Sequence, residues 1–309
     1  MEAIQLRDVA KPRVNLVVSC TARKTTGVEF SAHMRQVVGM DLESRAKEWF
    51  TRLNQIRIGC RPAMKMYCGS AWTPVLGISK LSDINIWIIS AGYGLLHHSD
   101  EIVPYAATFS SAHLDSVSRN DLFHASDWWT KCCSLNKRQK TISDLAKENP
   151  DVPIIVAVSK PYLEAVKGDL FSAKSMLVSR KLLSIISVGS PKNGVFESNI
   201  LPCDTRMEQV IGLGRSSLNT RILGDIMNNH HAGFDFDSLY SFITNRQQYK
   251  NPTSYPVRGR MTDKEVSDFI TKNVGVSQSF TVLLKKLRDS GCACEYKRFK
   301  QLFNCALKP

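Results

Sequence analysis

Four short runs of aliphatic and β-branched residues constrain the fold of this chain more than any other feature. They occupy residues 14–20 (VNLVVSC), 84–90 (INIWIIS), 152–158 (VPIIVAV) and 181–188 (KLLSIISV). Runs of this length and composition are typical of strands that are buried on both faces. Helical periodicity lies between them, as at residues 42–56, where Ala46, Phe50 and Leu53 share one face. The alternation predicts an α/β fold with a mostly parallel or mixed central sheet flanked by helices.

Each predicted strand is followed by a polar or glycine-containing loop. The loops read TARKTTG, AGYGLL, SKPY and GSPKNG in chain order. Parallel strands end at the same edge of their sheet, and α/β proteins bind ligands at that edge. We therefore expect these four loops to lie together and to carry the functional site.

The basic charge is concentrated near the C-terminus. The chain of 309 residues has a net charge of +13, and residues 246–309 hold 13 Lys and Arg against five Asp and Glu. A basic segment on a nearly neutral body is typical of phosphate binding, so we expect double-stranded DNA as the partner. The alternative is a solvated basic face that only maintains solubility.

A polar, proline-containing stretch at residues 245–260 is typical of a linker. The sequence thus predicts two domains, an α/β base-pocket domain at residues 1–245 and a basic helical unit at residues 246–309. Three helices are expected in the second, resembling a helix-turn-helix module. Thr262 opens the first with a capping box and Ser277 caps the second. Tyr296 and Phe299 face inward on the third.

The bulk composition excludes several classes of protein. Hydrophobic residues make up 43% and charged residues 22% of the chain, which are ordinary globular values. No run approaches the ~18 apolar residues of a membrane span, and the N-terminus lacks the apolar segment of a secretory signal. A cytoplasmic protein without membrane association is expected. The nine cysteines lack paired CxxC spacing, which predicts free thiols with no metal ion and no cofactor.

The densest group of chemically capable residues is SAGYGLLHHSDEIVPY at residues 90–105. Its YGLL…D…PY pattern resembles the signature of the YaaA-type peroxide-stress proteins and their larger set of relatives. Those relatives begin with a strand that ends in SC and is followed by basic residues, which this chain matches at residues 19–24. They also carry an LYxS segment, which Met66, Tyr67 and two small residues approximate. The resemblance covers residues 14–110 and departs after Tyr105, where many relatives carry a charged residue and this chain has Ala106.

The resemblance implies association with DNA. Some proteins of this type are similar to antiphage bacterial DNA glycosylases, which remove modified bases from phage DNA. The implied function is excision of a modified base, such as a glycosylated or hypermodified phage base, to leave an abasic site in antiviral defence. Two alternatives stay open: a non-catalytic DNA-binding stress protein, and a transglycosylase that exchanges one base for another.

Cleavage of an N-glycosidic bond develops positive charge on the sugar, which a neighbouring carboxylate stabilises. Asp100 is the first candidate for this catalytic role and Glu101 the second. Adjacent side chains of an extended segment point in opposite directions, so one of the two is expected to face the pocket. Asp100 has a purely structural alternative as the cap of a turn. His97 and His98 are more often solvent contacts than ligands, although a histidine can protonate a leaving base.

An extruded base is held by stacking and by hydrogen bonds to its edge, while basic side chains hold the flanking phosphates. The predicted base-binding residues are Ser19, Cys20, Tyr67, Ser90, Tyr93 and Tyr105. The predicted DNA-binding residues are Arg23, Lys24, Arg215, Arg221, Lys285, Lys286, Arg288, Lys297 and Arg298. The GLG turn at residues 212–214 opens a predicted helix that favours an anion site or an ordinary helix start. Lys24 has a further possible role, a Schiff base with an abasic sugar.

Overall fold

The computed structural model describes residues 13–37, 41–118, 123–189, 196–212, 214–252, 258–275 and 279–306. The chain forms two compact units, Met1–Pro252 and Thr253–Pro309. The strands are β1 (Val14–Ser19), β2 (Arg61–Pro62), β3 (Ile84–Ser90), β4 (Gly94–His97), β5 (Glu101–Ile102), β6 (Ile154–Ala157), β7 (Leu183–Ile186), β8 (Gly259–Arg260) and β9 (Cys292–Ala293). The helices are α1 (Leu42–Gln55), α2 (Ala63–Met66), α3 (Thr73–Ile78), α4 (Ala125–Leu135), α5 (Ile142–Glu148), α6 (Lys160–Met176), α7 (Glu208–Ile211), α8 (Leu218–Asn229), α9 (Phe236–Gln247), α10 (Asp263–Asn273), α11 (Phe280–Asp289) and α12 (Tyr296–Ala306).

The central sheet of the first unit has five strands in the order β4-β3-β1-β6-β7. β1, β3, β6 and β7 run parallel and correspond to the four predicted strands. Their side chains are buried on both faces because helices cover the sheet, which is why the strands read as continuous apolar runs. The prediction of an α/β fold with a mixed central sheet is confirmed.

The segment after β3 turns back and forms β4, antiparallel to β3. Gly94 begins this strand with a φ of +76°, a conformation that favours glycine. A Cβ atom there would lie 2.8 Å from the backbone nitrogen of Cys133 in α4. In this register Ser90 pairs with Gly94 and Trp87 with His97. His97 therefore lies three residues, or about 10 Å, from Ser90 toward the amino end of β3.

Helix α1 matches the helix predicted at residues 42–56. Asp41 caps it by accepting a hydrogen bond from the backbone of Ser44. Its buried face includes Trp49, whose indole nitrogen donates to the carbonyl oxygen of Gly92 at 2.7 Å. The helix thereby fixes the turn that follows β3.

The second unit contains α10, α11 and α12 around a core of its own. That core includes Val266, Ile270, Leu283, Leu287, Phe299 and Phe303. The capping box of Thr262 and Glu265 is confirmed. Ser277 lies outside the described residues, and the N-cap residue of α11 is Ser279.

Two details of the sequence-based description of this region are wrong. Helix α9 continues to Gln247, so the predicted linker does not begin at residue 245. Tyr296 does not face inward, because it starts α12 at the surface with 47% of its area exposed, in edge contact with Phe280. None of the described helices combines the length and the apolarity needed to cross a bilayer.

Candidate functional site

Predicted site residues meet beyond the carboxyl ends of β1 and β3. Ser90 is the last residue of β3, and Lys24 follows β1 and forms an antiparallel bridge with Tyr67. Ser19 ends β1 and is half-buried. We call the residues that gather here the edge cluster: Cys20, Lys24, Tyr67, Ser90, Tyr105 and Tyr162.

A chain of hydroxyl groups runs through the edge cluster. Ser90 Oγ accepts hydrogen bonds from the backbone nitrogens of Gly92 at 3.2 Å and Tyr93 at 3.0 Å. With its lone pairs occupied, we assign its proton to Tyr105 Oη at 2.6 Å. Tyr105 then donates to Tyr67 Oη at 2.9 Å. In this arrangement the phenolic proton of Tyr67 is the one that the chain of hydroxyl groups does not use.

The two phenols of this chain remain protonated. Tyr67 and Tyr105 are each at most 1% exposed. Burial raises the pKa of both phenols well above the ordinary value, and the neighbouring thiol of Cys20 adds to the effect. Both phenols therefore keep their protons near neutral pH, where they can donate hydrogen bonds and can release a proton only to a strongly basic acceptor such as an anionic leaving group.

The side chain of Lys24 lies against these rings. Its Nζ is 4.5 Å from the ring centroid of Tyr105 and 5.1 Å from that of Tyr67. It donates a hydrogen bond to the carbonyl oxygen of Thr21 at 2.7 Å. Burial lowers the pKa of the Lys24 amine, and two nearby cysteine thiols act in the opposite direction. No carboxylate of the described chain is among the groups that shift the pKa of Lys24. A larger fraction of this amine is therefore unprotonated than in an ordinary exposed lysine.

Tyr162 completes the cluster and was not among the predicted residues. It lies in the first turn of α6, directly after β6, and its hydroxyl is 3.3 Å from the sulfur of Cys20. Its ring packs edge-on against Phe109. Burial raises the pKa of the Tyr162 phenol. The sequence analysis predicted that the SKPY loop lies at the carboxyl edge of the sheet, but it gave the tyrosine of this loop no role.

Tyr93 lies between the edge cluster and a neighbouring cavity. Its ring is in edge contact with Tyr105 at 5.2 Å and with Phe50 of α1 at 6.3 Å. Its hydroxyl accepts a hydrogen bond from the backbone of Val103 at 3.2 Å. Tyr93 contributes its other face to a cavity of about 630 Å³, whose lining comes from α1, β4, β5 and the end of α4.

The predicted catalytic carboxylates line this side cavity, away from the edge cluster. Asp100 accepts hydrogen bonds from the backbone of His97 at 2.8 Å and from Nε of Arg138 at 2.5 Å. Asp100 therefore caps a turn, which is the structural role that the sequence offered as the alternative to catalysis. Glu101 is exposed and accepts a weak hydrogen bond from the thiol of Cys60. Because β4 runs back along β3, both lie toward the amino end of that strand.

The two adjacent histidines also belong to this region. His97 Nε2 is 2.9 Å from the side-chain oxygen of Asn85, and Nδ1 is 2.6 Å from the hydroxyl of Ser99. Burial lowers the pKa of His97 to about 4, with help from the neighbouring His98 and Arg138. The ring is neutral near pH 7 and is held by structural partners.

The predicted DNA-binding residues of the first unit differ in their surroundings. Arg23 and Arg215 are exposed. Arg221 instead donates to the carbonyl oxygens of Ile211 and Gly212, and so closes the end of α7. Its guanidinium is used within the GLG turn, which favours a structural role for this arginine.

The predicted DNA-binding residues of the second unit also fall into an exposed group and a paired group. Lys285 and Lys286 are exposed on α11. Arg288 donates to the carbonyl oxygen of Cys294 at 3.2 Å, and Arg298 forms an ion pair with Asp263 at 2.6 Å. The side chain of Lys297 lies outside what the structure describes. Lys285 and Lys286 are therefore the better placed of these residues to meet phosphate groups.

No protein-family model matches the chain, and neither a curated protein nor a solved structure does. The resemblance to YaaA-type proteins accordingly rests on motif residues alone. The edge cluster carries several of those residues, and its geometry is the basis for assigning chemistry to them.

Proposed function

We propose that the chain is a DNA N-glycosylase that excises a modified base, and that the reaction takes place at the edge cluster. The observation that carries this proposal is the pairing of the Lys24 amine with the Tyr67–Tyr105–Ser90 hydroxyl chain. The pair lies at the carboxyl ends of parallel strands, where α/β proteins place their ligands. Buried titratable groups gathered at such an edge favour a catalytic role over a packing role.

Excision of a base has two chemical requirements that this pair could meet. The departing base needs a proton, and Tyr67 is a neutral phenol at the end of the hydroxyl chain. The sugar carbon needs an electron-rich partner, and Lys24 is an amine whose pKa is lowered by burial. General acid assistance of this kind contributes roughly 10²–10⁴ in rate.

The surroundings of the acidic residues favour the edge cluster over the side cavity as the place of the reaction. Asp100 is bound by Arg138 and by the turn that it caps, so it serves the local structure. Glu101 is an exposed carboxylate on a two-residue strand. Asp100 is largely buried but is already engaged by Arg138, whereas Glu101 is exposed to solvent.

Duplex DNA as the substrate is supported by the charge of the second unit. Residues 253–309 contain eleven Lys and Arg against five Asp and Glu. Lys285 and Lys286 point to solvent from adjacent positions of α11. Such a surface attracts the phosphate backbone irrespective of sequence, which suits an enzyme whose selectivity depends on the extruded base.

The proposal is tested by incubating the protein with genomic DNA from phages that carry different modified cytosines or thymines, beside unmodified DNA. Abasic sites are then counted with an aldehyde-reactive label. We expect them in one class of modified DNA and not in plain DNA, with a loss of roughly 10²–10⁴ in rate for Tyr67→Phe. Intact DNA binding without abasic sites in any sample would indicate a non-catalytic DNA-binding protein. A product that forms only when a free base is added would indicate a transglycosylase.

A further inference from the structure

We propose that Lys24 is the nucleophile of this reaction and that it holds the abasic strand covalently as an imine. The inference rests on the proposed glycosylase function and goes beyond it, because hydrolysis of the bond by water requires no covalent intermediate. It also assigns a second substrate class, DNA that already contains an abasic site.

The surroundings of Lys24 distinguish it from other lysines of the same unit. Lys131, Lys140 and Lys181 each form an ion pair with a carboxylate. Lys24 instead has the aromatic faces of the edge cluster on one side and a backbone carbonyl oxygen as its hydrogen-bond acceptor. A carboxylate partner would hold an amine in its charged, non-nucleophilic form. In the described chain Lys24 has no such partner.

The bond changes balance without any further reactant except water. The amine of Lys24 forms a bond to C1′ of the sugar as the bond from C1′ to the base nitrogen breaks. The base leaves with that electron pair and takes the phenolic proton of Tyr67. The Lys24 nitrogen then loses a proton, which restores the phenol. Opening of the sugar ring gives the imine, and hydrolysis by one water molecule releases the abasic aldehyde and the free amine.

The same imine must form when the enzyme meets an existing abasic site. The open form of that sugar carries an aldehyde at C1′, and an amine and an aldehyde condense to an imine and water. This route does not depend on which modified base the enzyme recognises. The covalent step can therefore be examined separately from base excision.

The experiment uses the full-length protein, a DNA duplex with one abasic site, and cyanoborohydride, which reduces the imine to a stable amine. We expect a cross-linked species with the combined mass of protein and DNA strand, and peptide mass spectrometry should locate the bond at Lys24. Lys24→Arg keeps the positive charge and a donor for Thr21 but cannot form the imine, so cross-linking should fall at least tenfold. Lys65→Arg changes an exposed lysine nearby and should cross-link like the unaltered protein.

The mapping on the unaltered protein keeps the test valid if Lys24→Arg is poorly folded. A cross-link located at another lysine, or one undiminished in folded Lys24→Arg, overturns the inference. Abasic sites formed in modified DNA without any cross-link would also reject the covalent lysine, while leaving the glycosylase function in place. A cross-link at Lys24 supports the inference even where no modified DNA in the panel is a substrate.

Discussion

The hydroxyl oxygen of Ser90 lies 2.6 Å from the phenolic oxygen of Tyr105, so the end of β3 is joined to a residue fifteen positions later in the chain. Both side chains are fully buried. A buried polar group destabilises the fold unless it has a hydrogen-bond partner. Here the backbone nitrogens of the turn donate to the two lone pairs of Ser90 Oγ. The network therefore fixes the position of Tyr105, and through it that of Tyr67, beside Lys24.

Removing the last hydroxyl of the chain should separate activity from stability. Tyr67→Phe leaves the Ser90–Tyr105 bond intact and should cost about 1 kcal/mol in the free energy of unfolding. Tyr105→Phe interrupts the chain in its middle and takes one hydrogen-bond partner from both Ser90 and Tyr67, so it should cost about 2–3 kcal/mol. Urea unfolding and the count of abasic sites provide the two measurements. Equal stability losses, or full activity in folded Tyr67→Phe, would contradict the proposed role of this hydroxyl.

The closeness of the turn after β3 to Tyr105 makes Gly92 intolerant of a side chain. A Cβ atom at Gly92 would lie 2.5 Å from two carbon atoms of the Tyr105 ring and 3.3 Å from Trp49. Gly92→Ala should therefore displace the ring and destabilise the protein by about 1–3 kcal/mol. Gly77→Ala, where a Cβ atom meets nothing within 4 Å, is the matched control. The midpoints of urea unfolding compare the two, and similar midpoints would show that the ring can move at little cost.

Asp100→Asn distinguishes the two possible reaction sites. The substitution removes the ion pair with Arg138 but keeps an oxygen that can accept from the backbone of His97. The pair is partly exposed, so the stability loss should be about 1 kcal/mol or less. Formation of abasic sites should continue, because the edge cluster is unaffected. A loss of product greater than tenfold in a folded protein, for Asp100→Asn or for Glu101→Gln, would move the chemistry to the side cavity.

The elements that the sequence predicted well are those dictated by local composition. The parallel strands are apolar and β-branched, and the capping box of Thr262 and Glu265 is a short-range pattern. The loops at the carboxyl edge follow from the strand order of such a fold. That logic placed Lys24 and Ser90 in one region, as the structure shows, whereas Tyr67 was a candidate only through the resemblance to YaaA-type proteins.

The features that the sequence did not predict depend on contacts between residues that lie far apart in the chain. AGYGLL was recognised as a turn, but its continuation as β4 carries Asp100 back along β3, which the composition of six residues does not reveal. Tyr162 reaches Cys20 across 142 positions of the chain. Arg298 and Lys285 look equivalent in sequence, although only the arginine has Asp263 as a partner.

The difference between exposed and paired basic residues should appear in the salt dependence of DNA binding. The double variant Lys285→Gln, Lys286→Gln removes two exposed charges, so the slope of log Kd against log salt concentration should fall by about 2. Arg298→Gln removes a charge already neutralised by Asp263 and should change the slope by less than about 0.5 while weakening the fold. Titrations of a labelled duplex at several salt concentrations measure both. Slopes unchanged in the double variant would place the phosphate contacts elsewhere.

The partly buried His97 should make the protein sensitive to mild acid. The pKa of His97 is lowered by burial from 6.5 to about 4 in the folded protein. As the pH falls through this interval, the unfolded chain binds a proton that the folded chain does not, so stability is lost on acidification between about pH 6.5 and pH 4. His97→Gln lacks the titrating ring, and its unfolding free energy should depend less on pH across that interval. Urea unfolding of both proteins at pH 7, 6, 5 and about 4.5 measures the difference, and parallel curves would show that His97 takes up its proton as readily in the folded state as in the unfolded one.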